Sequence, residues 1–298
     1  MEMPVIEMNK TTKYYDKTRG IEDLDLKVQE GDIFGFIGPN GAGKSTTIRI
    51  LMNFIFPTSG SARIFGQDVT KNSQILRKDI GYMPSDVFFH KSLKVREILD
   101  YSCLLRGIKD KKTMNQLTEA FELDTGKKFE DLSFGNKKKV SIVQSLLHKP
   151  KLLILDEPTG GLDPLVQKTF FEYINSENKR GVTVFFSSHT LSEVQKMCKN
   201  VGIIKDGRMI QVEEIDSIRS KQLKKVNIDS FDDLKPEIFK GDNFRGVYIN
   251  KNSIEFYYKG DINKLVKILG EINLRSFTMK EPELEEVFIH YYSDGGDE

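Results

Sequence analysis

Long apolar runs are missing from this sequence. Stretches such as LLIL at 152–155 and IFGFIG at 33–38 fall far short of the ~20 residues a spanning helix needs, which excludes a chain that crosses a membrane by itself. Cysteine is scarce: Cys103 and Cys198 are the only two, they fit neither a metal spacing nor a disulfide framework, and each falls in a helical pattern, so both are expected to be buried reduced thiols. An excess of charge of one sign is also missing. Lys and Arg total 45 against 44 Asp and Glu, a formal net charge of +1, so no strong positive field spreads over the surface to attract nucleic acid or anionic lipid, although a local basic patch stays open. Met1 is followed by Glu2 and Met3 with neither a basic n-region nor an apolar h-region, so no secretory leader is expected and the cytoplasm is the expected address. There is no internal repeat and no low-complexity linker. What is present is a balanced globular composition, 30% charged and 38% apolar, in 298 residues, a length that suggests about two domains and excludes overall disorder.

Residues 1–215 alternate short apolar strands with amphipathic helices, the pattern of an α/β layer architecture with a mostly parallel buried sheet. An antiparallel β-subdomain is expected first, from 5–15 and 24–32 around a turn at 16–20. The run at 32–38 then reads as a buried strand entering a glycine-rich loop and a helix over about 44–54. Residues 151–158 and 182–189 read as central strands separated by a helix from Pro164 to about Asn178, and Asp206-Gly207 between two apolar runs marks a hairpin. Between about 95 and 147 apolar residues recur at helical steps, which predicts a helical insert. Beyond Ile215 the composition shifts towards Lys, Asp and Asn. A small α+β accessory domain is expected over 216–292, ending in a helix at 281–292, with a disordered tail at 293–298.

GPNGAGKST at 38–46 satisfies the phosphate-loop pattern and follows a predicted buried strand, the context that pattern requires. Gly41 and Gly43 let the backbone turn its N–H groups inward, and the start of the following helix adds positive dipole. Lys44 then sets a point charge on the β- and γ-phosphates, and the Ser45 hydroxyl is suited to Mg²⁺. Asn40, Gly41, Gly43, Lys44, Ser45 and Thr46 are the candidate ATP-binding residues. LLILDEP delivers Asp156 to the carboxyl end of a strand, where it can hold Mg²⁺ through water, with Glu157 next as a candidate base for the attacking water. Alone, two acids there would read as a solvated strand end; the phosphate loop upstream changes the reading. His189 ends another apolar strand at the edge where ligands bind in such sheets, which makes it the second catalytic candidate. His90, His148 and His290 have no partner pattern.

These motifs resemble those of the ATP-binding subunits of ABC transporters. LSFGNKKKV at 132–140 looks like the family signature, GGLDP at 160–164 like its D-loop with Asp163, His189 like its switch histidine, and Tyr15 like its adenine-stacking aromatic, with Tyr14 one register away. The resemblance covers about 3–215, and EPELEEVF at 281–288 resembles the accessory C-terminus of a drug- and antibiotic-peptide-exporter branch. It implies a P-loop NTPase fold that uses ATP and Mg²⁺ and sits at the cytoplasmic face of the cell membrane through a separate permease. It also implies a homodimer or heterodimer closed head to tail, in which Ser133, Gly135 and Asn136 complete the partner's site, and no nucleic acid partner.

The departures from the family pattern matter too. Ser85 stands where most relatives carry glutamine, with Asp86 next, and Phe134 and Asn136 replace a glycine and a glutamine of the signature. They read either as drift in a working site or as one weakened site of an asymmetric pair. Lys137, Lys138 and Lys139 oppose the dipole at a helix start, which a nearby anion would relieve; a solvated basic face is the plainer reading for Lys137 and Lys138. The expected function is an ATPase that powers export of a peptide, antibiotic or lipid-like cargo. Its permease contact is expected on the insert and on 85–105, where Val87, Phe88, Phe89 and Leu93 line a groove or else pack the insert on the core. A soluble ATPase of ribosome or DNA would bring a second nucleotide domain, long coiled coils or zinc modules, none of which this sequence carries, and a regulatory subunit with a weakened ATP site is the other alternative.

Overall fold

In the computed structural model, which describes residues 3–216 and 224–280, the alternating residues at the start of the chain form an antiparallel pair, β1 (Ile6–Tyr15) and β2 (Thr18–Val28). The expected five-residue turn contracts to Asp16 and Lys17, because Asp16 takes a left-handed φ of 52° and lets Thr18 pair directly with Tyr15. β3 (Ile33–Ile37) is buried along its whole length and runs into the loop before α1 (Lys44–Leu51). That helix stops short of Phe54, since Asn53 adopts a left-handed φ of 52° just beyond it. β4 (Ser59–Ile64) and β5 (Gln67–Asp68) complete the first sheet, in the order β2-β1-β4-β5.

α2 (Ser73–Asp79) and β6 (Ile80–Met83) precede the helical insert, whose helices are α3 (Val95–Leu105), α4 (Lys112–Ala120) and α5 (Phe134–Leu146). The chain continues through β7 (Leu152–Asp156), α6 (Pro164–Asn178), β8 (Thr183–Ser188), α7 (Leu191–Met197), β9 (Asn200–Lys205) and β10 (Arg208–Glu214). The central sheet has the order β10-β9-β3-β8-β7-β6 and is parallel except for β10, which forms the hairpin with β9. Continuous apolar strands suit a sheet covered on both faces, and Phe34, Phe36 and Phe185 stack within its core. Because β7, β8 and β3 are neighbours, the residues at their carboxyl ends converge on one edge. Cys103 and Cys198 are free and buried, and burial pushes both thiols up.

The chain divides into two compact units, Met1–Ile215 and Asp216–Glu298. In the second unit β11 (Lys224–Ser230), β12 (Phe244–Asn250), β13 (Ser253–Tyr258) and β14 (Leu274–Lys280) form an antiparallel sheet in the order β12-β13-β11-β14. α8 (Ile262–Leu269) contributes Leu265 and Leu269 to a core with Val226, Ile228 and Phe256. The helix expected at 281–292, EPELEEVF within it, and the tail at 293–298 lie outside the described residues.

Candidate nucleotide site

The loop between β3 and α1 has the backbone of an anion cradle. Gly41 and Gly43 have φ of 80° and 108°, and Gly43 is the N-cap of α1; a Cβ there would also meet the Gly20 carbonyl oxygen at 2.8 Å. Lys44 is 5% exposed and folds back over the loop, its Nζ donating to the carbonyls of Gly38 at 2.7 Å and Pro39 at 3.1 Å. The same ammonium lies 3.4 Å from Glu157 Oε1.

Asp156 ends β7 directly opposite Ser187 of β8, and the Ser187 hydroxyl donates to its Oδ1 at 2.7 Å. Burial raises the pKa of Asp156, while hydrogen bonds from Ser187 and Ser45 and the charge of Lys44 oppose that rise. Glu157 leaves the strand with a left-handed φ of 46°. Its N–H donates to the Ser187 carbonyl and hydroxyl, at 3.2 and 3.1 Å, and its own carbonyl accepts from Lys138 Nζ at 2.8 Å. On the far side of its carboxylate, His189 Nδ1 lies 3.2 Å from Oε2. The structure therefore gathers Lys44, Ser45, Asp156, Glu157 and His189, drawn from three strand ends, at one place.

A cleft of about 220 Å³ opens in front of them, lined by Asn40, Gly41, Gly43, Lys44, Ser45, Thr46 and Glu157 on one side and by Tyr15, Arg19 and Gly20 on the other. Tyr15 sets its hydroxyl 3.5 Å from Thr46 Oγ1. Tyr14 turns away, and its hydroxyl, hydrogen-bonded to Glu22, has a raised pKa as a result.

Other candidates lie elsewhere. Ser133 is the exposed N-cap of α5, accepting from the Asn136 N–H at 3.3 Å, and Gly135 packs close to the Gly161 carbonyl. Asp163 caps α6 by accepting from the N–H groups of Leu165 and Val166 at 3.1 and 3.0 Å. None of these lines the cleft of its own chain, nor does the half-buried Ser85. Phe88 and Phe89 separate: Phe88 is 85% exposed, whereas Phe89 packs edge-on against Phe129. Lys138 departs from the solvated face expected for it. It is 2% exposed and points inward, because its place on α5 faces the segment that leaves β7 at Glu157 rather than water.

Ser187 and Glu193 escaped the sequence reading. Glu193 accepts from the hydroxyls of Thr159 and Ser188, both at 2.7 Å, and so ties α7 to the segments after β7 and β8. A hydroxyl at the end of β8 was a visible signal, but only the strand register sets it beside Asp156.

An ABC transporter family profile matches residues 21–160. Across its length the chain is 35% identical to the bacitracin transport ATP-binding protein of Bacillus licheniformis, with 98% of each chain covered. The chain belongs to the ABC transporter family. It is an ATP-binding, ATP-hydrolysing subunit, of the kind that works with transmembrane permease partners. This ABC subunit is also 33% identical, over 73% of its own length and 38% of the other, to a probable multidrug ABC transporter ATP-binding protein of Escherichia coli. A solved ATP-binding subunit of an ABC transporter shares its fold with a TM-score of 0.68 at 29% identity, covering 72% of this chain and 92% of that one. Among the described residues no helix is long and apolar enough to cross a membrane.

The donors present in this ABC site fit Mg²⁺. Among the described residues no group of three or more His, Cys, Asp or Glu is arranged as a metal cage. One buried carboxylate, Asp156, and one hydroxyl, Ser45, close enough to lower its pKa, are what a cation held chiefly by phosphates and water requires.

Proposed function

We propose that this subunit hydrolyses ATP with Glu157 as the base for the attacking water and His189 as its partner, and that the energy drives export of a peptide, antibiotic or lipid-like molecule. The observation that carries the catalytic assignment is the position of the Glu157 carboxylate, held between Lys44 at 3.4 Å and His189 at 3.2 Å at the mouth of the phosphate loop. Tyr15 offers its ring to the adenine and the loop N–H groups face the phosphates, to which the Lys44 ammonium transfers from Glu157. Ser45 and Asp156 would hold Mg²⁺, which neutralises charge on the phosphates. Glu157 then takes a proton from water as its oxygen attacks the γ-phosphorus, and ADP departs.

The exposed Ser133 and the half-buried Gly135 and Asn136 of the signature, with Asp163, act on the nucleotide of a second ATP-binding subunit, identical or related, in a head-to-tail pair. The exposed N-terminus of α5 supports this reading, because its free N–H groups and dipole suit a γ-phosphate. The permease holds the pair at the cytoplasmic face of the membrane. Its contact falls on the exposed Phe88 and on a groove of about 290 Å³ lined by Phe54, Tyr82 and Leu105. The likeness to the bacitracin transport and probable multidrug proteins supports the cargo class.

Glu157→Gln is the test. Hydrolysis should fall by about 10²–10⁴-fold, the range for loss of a general base, while ATP binding persists and the chain accumulates as an ATP-bound dimer. Hydrolysis at the parent rate would remove Glu157 from the mechanism.

A further inference from the structure

Lys138, in a run of three lysines that reads as a solvated face, is buried, and the nucleotide chemistry does not use it. Its surroundings are unusual for a lysine. It is 2% exposed, its Nζ donates to the Glu157 carbonyl at 2.8 Å, and the ring of Phe134 lies 5.8 Å from the same nitrogen. A methionine or leucine would fill that volume on α5 without desolvating a charge, so helix packing alone gives no reason for an ammonium.

The bonded carbonyl belongs to the one residue of the site whose backbone is strained. Glu157 sits at φ 46°, a region where a side-chain-bearing residue persists only when its surroundings hold it. Its N–H is held by Ser187. The Lys138 bond holds the other end of the residue. With both ends held, the direction in which the carboxylate leaves the backbone is set before nucleotide arrives. Burial lowers the pKa of Lys138, and Asp156, Glu157, Asp86 and Glu193 face it and work to keep it charged.

We propose that Lys138 is a positioning residue for hydrolysis, fixing the backbone of Glu157 from the helix whose N-terminus carries the signature. The proposal rests on the reading of Glu157 as the base. It gives the middle lysine of the run that follows Asn136 a task inside its own chain, separate from any contact of the signature with a partner.

The test compares full-length variants after Glu157→Gln has established that Glu157 is required; hydrolysis that survives Glu157→Gln overturns the reading of the base and this inference with it. Lys138→Met removes the donor and should lower kcat on the order of 10²-fold, with KM and the affinity for a fluorescent ATP analogue within about twofold of the parent. Lys138→Gln keeps a donor that can reach the carbonyl and should recover most of the loss. If Lys138→Met retains the parent kcat, or if Met and Gln are equally impaired, the positioning role is wrong. Should Lys138→Met fail to fold, Lys138→Gln is compared with Lys138→Asn, the same amide on a shorter arm. Asn should show the low kcat, and equal rates in the two would overturn the proposal.

Discussion

The cleft and the signature face are built in opposite ways. In the cleft, polar groups are committed to one another, with Lys44 and Asp156 buried and Glu157 half-buried: Lys44 to two loop carbonyls and Glu157, Asp156 to Ser187, Glu157 to Ser187, Lys138 and His189. On the signature face Ser133 is exposed, Phe134 is 55% exposed and Leu165 at the start of α6 is 79% exposed. A side chain organised this tightly needs only its ligand, whereas apolar and capping groups left in water await another surface. The difference fits the proposed reading, in which this chain holds one phosphate-binding half-site and offers its signature face to the nucleotide of a second subunit.

The strongest way to break that comparison is Ser133→Arg, which fills the signature face and leaves the cleft alone. Nucleotide binding by the isolated chain should match the parent, while hydrolysis falls on the order of 10³-fold, the scale of losing a transition-state donor. Mixing this variant with Glu157→Gln should restore activity, since a mixed pair has one site with an intact Glu157 and an intact Ser133 across from it. No recovery on mixing, or weakened nucleotide binding in the single chain, would mean that Ser133 acts in its own chain.

The same division explains how much was legible in the sequence. The phosphate loop and β7 were readable because short-range pattern dictates them: glycines at two left-handed positions, branched apolar residues in a fully buried strand. Strand pairing is non-local, so Ser187 could not be set beside Asp156 without the register that joins β7 to β8. Lys138 was misread for a related reason. A run of three lysines looks like a solvated stripe, but helical spacing turns one of them towards Glu157, and only tertiary packing says which. The turn at Asp16 is shorter than its composition suggests because an aspartate can adopt the left-handed φ usually given to glycine.

Acid should act on the far end of the signature helix and on the cleft with opposite sign, a smaller but cleaner contrast. His148, just past the end of the signature helix α5, bonds the Ile80 carbonyl through Nε2 at 3.0 Å, and burial holds its pKa down to about 4. Its folded pKa lies below the unfolded value of ~6.5, so its contribution is intact at neutral pH and drains away as pH falls from that value towards the folded one, about 2 kcal/mol by pH ~5. Asp156, whose pKa is raised by burial, gains protons more readily folded than unfolded, and its linkage favours the fold as pH drops. Urea melts at pH ~7.5 and ~5 should therefore show a loss that His148→Gln abolishes, because glutamine keeps a donor for Ile80 and does not titrate. A loss that survives that variant would place the acid sensitivity elsewhere.

The smallest effect separates two uses of one carboxylate. Asp163 caps α6 through two backbone N–H groups and also occupies the D-loop position proposed to face a partner. Asp163→Ala should cost about 1 kcal/mol, a fall of roughly 2–4 °C in Tm for a unit of this size. Asn caps nearly as well as Asp, so Asp163→Asn should return the melting temperature to the parent value. If the residue serves only its helix, hydrolysis returns with it. If the carboxylate also works across the pair, hydrolysis stays low in Asn although stability is restored, because the cap needs an acceptor oxygen and the partner's site needs the charge. Thermal melts and steady-state rates on the same two variants thus decide whether the exposed face is a helix end or half of another active site.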